Sequence, residues 1–282
     1  MCGFIPALFG EWSPSFLETK RPVRPIPITT PKLTLVVLFI ALASLLGGCA
    51  DFTAGLAPLD RTVDPALVQA HTRAGKVYCA RGWLGIFSTG MMELANRIDS
   101  KEGITAVSTA DMEYPRLQEW LVSAHKQGKL NEPLVLLGHS WGADDMVQVS
   151  RRLEQEGITV DLLVLIDPVT PPPAPANVKR VYCVYMSHPE TDWFPFWRGV
   201  AATVQNSTAT ALENIDLRTA KVDFDITGIS HPYVDKNEGV HNMCIREIMK
   251  ICPPRAAWLQ AHPASPVTVG TPVPGRPSSG MP

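Results

Sequence analysis

Leu134-Val135-Leu136-Leu137-Gly138-His139-Ser140-Trp141-Gly142 runs from four consecutive apolar residues straight into a serine flanked by glycines. Four apolar residues in a row suit a short strand buried on both faces. The pattern from Ala143 to about Glu156 is helical, so the serine falls at a strand-to-helix turn. Such a turn is sharp enough to strain the serine backbone, and glycines two residues to either side relieve the crowding. It lifts the Ser140 hydroxyl above the sheet edge and leaves the N–H of Trp141 at a helix N-terminus, where it can stabilise an oxyanion. A glycine-flanked turn carrying an inert serine is the plain alternative.

Working outward, strand-like and helix-like segments alternate. Val77–Ala80 and Ile104–Ser108 read as strands, as do Val160–Ile166, Val178–Met186 and Val222–Ile229. Between them, Met91, Leu94, Ala95 and Ile98 recur at helical spacing after Ser88 or Thr89 as a helix cap. Leu117, Trp120, Leu121 and Ala124 form a second stripe that Gly128 ends, and a last helix from Val240 to Ile251 stops at Pro253-Pro254. Strands separated by amphipathic helices predict right-handed crossovers and a mainly parallel α/β sheet covered by helices on both faces.

With the turn and the alternation together, residues 74–252 resemble the α/β-hydrolase family, beginning at what would be its third strand. Little sequence precedes Val77, so the first antiparallel strands of that fold are expected to be reduced or absent, and no insertion is long enough for a large lid. The resemblance implies a compact serine hydrolase, like an esterase, lipase or thioesterase, in which Ser140 is the nucleophile and needs a base and an orienting acid. The family order of serine, acid, histidine restricts both to residues after 140. His231, in Gly228-Ile229-Ser230-His231-Pro232 before the final helix, stands where the family places its base; His241 and His188 are the alternatives. Asp167 ends the buried run Leu163–Ile166 at the sheet edge where α/β proteins bind ligands. Asp192 or Glu190, after the next strand, is the competing acid. The second oxyanion donor is expected in Arg81-Gly82-Trp83-Leu84-Gly85, with the Trp83 N–H as the candidate.

Other polar and aromatic residues have plainer readings. Asp144 and Asp145 suit the positive end of a helix. His139 is expected to point away from the reaction centre. Trp193, Phe194, Phe196 and Trp197 either line an acyl pocket, touch a membrane surface or simply pack.

The two ends differ in composition from the middle. Lys20, Arg21, Arg24 and Lys32 precede the apolar run Leu33–Leu46, which at 14 residues is short of the roughly 20 a spanning helix needs. Gly47, Gly48 and Cys49 follow, so residues 1–48 read as an export signal. Leu45-Leu46-Gly47-Gly48-Cys49 resembles the lipobox of bacterial lipoproteins, which implies a lipid on Cys49 and retention at the cell envelope, with Ala50 favouring an outer membrane facing the periplasm. A plain signal peptide or an uncleaved anchor remain the alternatives. Residues 49–73 read as a lead-in. From Pro253 to Pro282 eight prolines among thirty residues describe a solvated tail. Cys79, Cys183, Cys244 and Cys252 have no zinc-like spacing and stand open between free thiols and disulfides.

Composition excludes several other classes. With 45% hydrophobic and 18% charged residues the chain can bury a sizeable core. A formal charge of −2 provides no general pull toward nucleic acid. The expected activity is cleavage of small-molecule or lipid carboxylic esters or thioesters through an acyl-Ser140 intermediate, with no metal or organic cofactor. An acyltransferase using the same residues, or a non-catalytic envelope binding protein of the same fold, are the competing readings.

Overall fold

The computed structural model of the protein describes residues 71–83, 88–110, 113–130, 132–187, 190, 192–194 and 198–263. The segment read above as an export signal, Cys49, His188, Phe196, Trp197 and the chain beyond 263 lie outside the described residues.

Six strands form one sheet: β1 (Lys76–Arg81), β2 (Thr105–Ala110), β3 (Leu134–His139), β4 (Leu162–Ile166), β5 (Arg180–Tyr185) and β6 (Ala211–Asp216). Their order is β2-β1-β3-β4-β5-β6, and every neighbouring pair is parallel. The helices are α1 (Gly90–Ser100), α2 (Tyr114–Lys126), α3 (Trp141–Gln155), α4 (Glu238–Ile251) and α5 (Arg255–Ala261).

Side chains alternate across a strand, so a doubly covered sheet must split its apolar residues into two cores. One contains Val77, Cys79, Val135, Leu137, Val164 and Ile166 with Met91, Leu94 and Ile98 of α1 and Val240, Cys244 and Ile248 of α4. The other contains Tyr78, Ala80, Leu134, Leu136, Leu163 and Leu165 with Leu117 and Leu121 of α2 and Met146, Val147 and Leu153 of α3. The fold is thus of the α/β-hydrolase type, a parallel sheet with helices on both faces and, among the described residues, no large lid. Cys79, Cys183, Cys244 and Cys252 are buried free thiols.

Three features depart from the sequence expectations. The segment Val222–Ile229 is not a strand; β6 is Ala211–Asp216 instead. As an edge strand β6 is largely exposed, so Ala-Leu-Glu-Asn-Ile-Asp carries no apolar run. Val222, Phe224 and Ile226 alternate because they turn inward from an irregular loop to pack on the first core. Secondly, no helix links β4 to β5 among the described residues, where Pro168, Pro171, Pro172, Pro173 and Pro175 interrupt the backbone hydrogen bonds a helix needs.

Thirdly, the folded unit does not end at Cys252 and begins before residue 74. Arg73 pairs with Pro254, and α5 follows within the segment expected to be a solvated tail. Arg255 grips Glu132 through two bonds of 2.5 and 3.1 Å, and also donates to the carbonyls of His71 and Arg73. A proline-rich stretch is thereby held by one forked guanidinium, a geometry that lysine cannot copy.

Both side chains of the Arg255–Glu132 pair are close to buried, at 12% and 11% exposure. Removing one partner of such a pair strands the other charge. Arg255→Ala should therefore lower stability by ~3 kcal/mol in urea denaturation. A loss indistinguishable from zero would mean the clasp is only a surface contact.

Candidate active site

Ser140 stands between β3 and α3 with φ 59° and ψ −129°, a strained conformation for a residue with a side chain. The turn is as tight as the glycines implied. A Cβ on Gly138 would lie 2.3 Å from the Gly142 carbonyl oxygen, and one on Gly142 would lie 2.7 Å from that of Ala80. Helix α3 begins at Trp141, two residues earlier than its apolar pattern, because the turn itself supplies the first helical residues.

The structure brings Ser140, His231 and Asp167 together. Ser140 Oγ lies 2.8 Å from His231 Nε2, and His231 Nδ1 lies 2.8 Å from Asp167 Oδ2. A carboxylate oxygen only accepts, so Nδ1 carries the ring proton and Nε2 is left to accept from the serine hydroxyl. All three are buried: Asp167 at 0%, Ser140 and His231 at 6% exposure. Asp167 itself takes a positive φ of 48°, which turns its carboxylate back over the sheet edge. Its other oxygen accepts the Met186 N–H at 2.6 Å. Gly199 closes over this carboxylate, since a Cβ there would fall 1.6 Å from Oδ1.

The competing residues are engaged elsewhere. Asp192 accepts a hydrogen bond from Ser187 Oγ at 3.0 Å, and Glu190 is exposed. His241 lies buried in α4 and donates to the Asp235 carbonyl. The two proposed oxyanion donors stand at the right chain positions: Trp141 is the first residue of α3, and Trp83 follows β1 with φ 36°. Gly82 lies directly against Ser140, where a Cβ would be 2.9 Å from Ser140 Cβ. Leu84 and Gly85 lie outside the described residues. Trp193 is 77% exposed and pairs with Phe194 at 5.7 Å between ring centres.

Three buried polar residues do more than the sequence suggested. His139 does not point away from the site: its Nε2 donates to the His231 carbonyl at 3.0 Å. Ser88 is no helix cap; its hydroxyl bonds His139 Nδ1 at 2.7 Å, and the α1 cap position falls to Thr89. Asp144 accepts the N–H groups of Val169 and Thr170 and the Thr170 hydroxyl, pinning the loop after Asp167 to α3. Burial raises its carboxyl to about 6. A polar residue closing an all-apolar strand, as His139 does, must find partners, and that requirement was the available signal.

Comparison with family models finds no match, and comparison with curated proteins finds none. Among solved structures the chain is similar to the NocB thioesterase domain from the nocardicin cluster, with 11% identity, TM-score 0.41, and 64% of this chain covering 96% of that one. It is similar to the RedJ thioesterase from the prodiginine pathway of Streptomyces coelicolor, with 12% identity, TM-score 0.36, and coverage of 61% and 88%. The type II thioesterase BorB from the borrelidin cluster gives 12% identity, TM-score 0.36, and coverage of 64% and 95%. At such low similarity the functional reading rests on the site's own geometry.

The loop that carries His231 is tied down a second time. Asp235 is fully buried and accepts the Gly90 N–H through Oδ2 at 2.9 Å. Burial lifts its carboxyl from the ordinary 3.8 to about 6. The folded protein therefore binds more protons than the unfolded chain between these values, and this group's contribution to stability falls as pH rises through that window. Asp235→Asn keeps the acceptor for Gly90 and removes the titration. Denaturation of both proteins at pH 4.5 and pH 7.5 should show the variant gaining stability relative to wild type at the higher pH. A difference constant with pH would contradict the burial argument.

Proposed function

We propose that the protein is a serine hydrolase that cleaves carboxylic esters or thioesters through an acyl-Ser140 intermediate. The observation that carries this reading is the unbroken chain from Ser140 Oγ to His231 to Asp167, with both links at 2.8 Å. A serine hydroxyl is a weak nucleophile near neutral pH unless a positioned base removes its proton during attack.

In this reading His231 Nε2 takes the hydroxyl proton as Oγ bonds to the substrate carbonyl carbon. The carbonyl π electrons move to oxygen, and the backbone N–H groups of Trp141 and Trp83 stabilise that oxyanion. Asp167 steadies the imidazolium without taking its proton. Collapse of the tetrahedral adduct breaks the ester or thioester bond, and His231 Nε2 passes its proton to the departing oxygen or sulfur. Water then attacks the acyl-serine, giving its proton to His231. The second collapse returns that proton to Oγ and releases the acid.

A fluorophosphonate probe tests the nucleophile without knowledge of the substrate. Wild type should be labelled, and Ser140→Ala should not. Ser140→Ala and His231→Ala should each lower p-nitrophenyl ester turnover by a factor of ~10³ or more while remaining folded. His231→Ala turning over at the wild-type rate would remove His231 from the mechanism. A folded, unlabelled wild type would favour a non-catalytic binding protein.

We further propose that the mature protein is held at a bacterial cell envelope, on the periplasmic side of the outer membrane, by a lipid on Cys49. The support is the basic lead-in, the short apolar run and Leu45-Leu46-Gly47-Gly48-Cys49. Metabolic labelling with a fatty-acid analogue should mark the wild type and be abolished in Cys49→Ser. Labelling that persists would exclude lipidation at this cysteine.

A further inference from the structure

His139 precedes the nucleophile in the chain and is 2% exposed, yet it forms no hydrogen bond to Ser140. Its ring instead lies 5.2 Å, centre to centre, from that of His231. The direction of each bond around it follows from the donors available. Gly82 N–H can only donate, and it reaches Ser88 Oγ at 3.2 Å. The Ser88 proton is then free to point at His139 Nδ1, 2.7 Å away. Nδ1 as acceptor leaves the ring proton on Nε2, which is 3.0 Å from the carbonyl oxygen of His231. A neutral imidazole of this one tautomer satisfies both ends.

From this we infer that His139 is a positioning residue. It locks the peptide of the base His231 to the strand that carries Ser140, and through Ser88 to the Gly82–Trp83 turn, so that base, nucleophile and oxyanion loop hold one register. The inference rests on the hydrolase reading above for its consequence in rate, though not for its geometry.

Two physical points support it. A single carbonyl hydrogen bond fixes the peptide from which the His231 side chain departs, and misplacement of a reacting group by about 1 Å can cost about 10²-fold in rate. Burial, with the neighbouring His231 adding to it, also holds the His139 ring neutral, its pKa lowered to about 3. When His231 becomes a cation during the reaction, it therefore meets a dipole on this side and not a second positive charge.

The experiment compares His139→Leu, His139→Gln and Ser88→Ala with wild type. Leucine fills the volume without donating or accepting. Glutamine restores an amide N–H near the Nε2 position. His139→Leu should lower both kcat for p-nitrophenyl butyrate and the rate of fluorophosphonate labelling by about 10²-fold, with KM little changed. His139→Gln should recover at least about tenfold of that loss, and Ser88→Ala should lose about tenfold. Independently of turnover, the low-field proton resonance of His231 Nδ1–H, bonded to Asp167, should be present in wild type and broadened or lost in His139→Leu.

Folded His139→Leu with wild-type labelling and an unchanged resonance would overturn the inference, as would glutamine performing no better than leucine. If His139→Leu does not fold, the Ser88→Ala and glutamine results decide in the same directions. A wild type that shows the resonance but neither labels nor turns over would sink the hydrolase reading. The resonance in the variants would then still decide the positioning role.

Discussion

The hydrogen bond from Ser140 N–H to the Ile166 carbonyl, 3.0 Å long, is the last rung between β3 and β4. It continues the register that pairs Gly138 with Leu165 and His139 with Ile166. The next residue on each strand is then a site residue, Ser140 on one and Asp167 on the other. A matching rung, Asp167 N–H to the Val184 carbonyl at 2.8 Å, ties the acid to β5 in the same way. Parallel strands end at the same edge of a sheet, so two residues just past neighbouring strand ends are close in space whatever their separation in sequence. Both then leave the strand conformation through a positive φ, and both side chains reach His231. Strain at these two residues is tolerated because ladder bonds on either side leave the backbone no alternative path.

Closing such a site against water requires that every buried polar group be satisfied inside it. Asp167 shows how this is met. One oxygen takes the His231 ring N–H and the other the Met186 N–H, while Gly199 covers what remains. Asp144, from α3, performs the same service for the residues just after Asp167, accepting three donors from Val169 and Thr170. The loop after β4 is therefore held from both sides, although prolines deny it a helix. Fixed dipoles of this kind need not reorganise as charge develops, which is where a dry site outperforms water.

The nucleophile turn was legible because three constraints coincide in nine residues: an apolar run, glycines at a fixed spacing and a helical period immediately after. Asp167 and His231 were legible only through chain order and their places at the ends of apolar runs. What stayed hidden has a common cause. β6 shows little apolar signal because an edge strand buries little, and Leu212 within it is 39% exposed. Val222, Phe224 and Ile226 mimic a strand because any loop folded down on a core can bury alternate residues. Helix α5 is invisible in a proline-rich tail because its attachment depends on Arg255 meeting Glu132, more than a hundred residues away. The partners of His139 are hidden for a related reason. Alternation along β3 says only that its side chain leaves the strand on another side than its neighbours, whereas the folded chain brings the His231 peptide to its ring.

That last arrangement explains how a histidine on a long irregular loop can be placed as accurately as one on a strand. The loop before α4 has little regular backbone pairing of its own. It is anchored instead at His231 by the His139 ring and at Asp235 by the first N–H of α1. Between the two anchors lies Tyr233, 51% exposed and stacked beneath the Lys236 ammonium at 5.6 Å. The segment is thus buried at His231 and Asp235, one held by β3 and the other by α1, while Tyr233 between them faces solvent. The placement of His231 therefore rests on a bond to its backbone carbonyl and on the nearby Asp235 anchor, which leaves both ring nitrogens to Asp167 and Ser140.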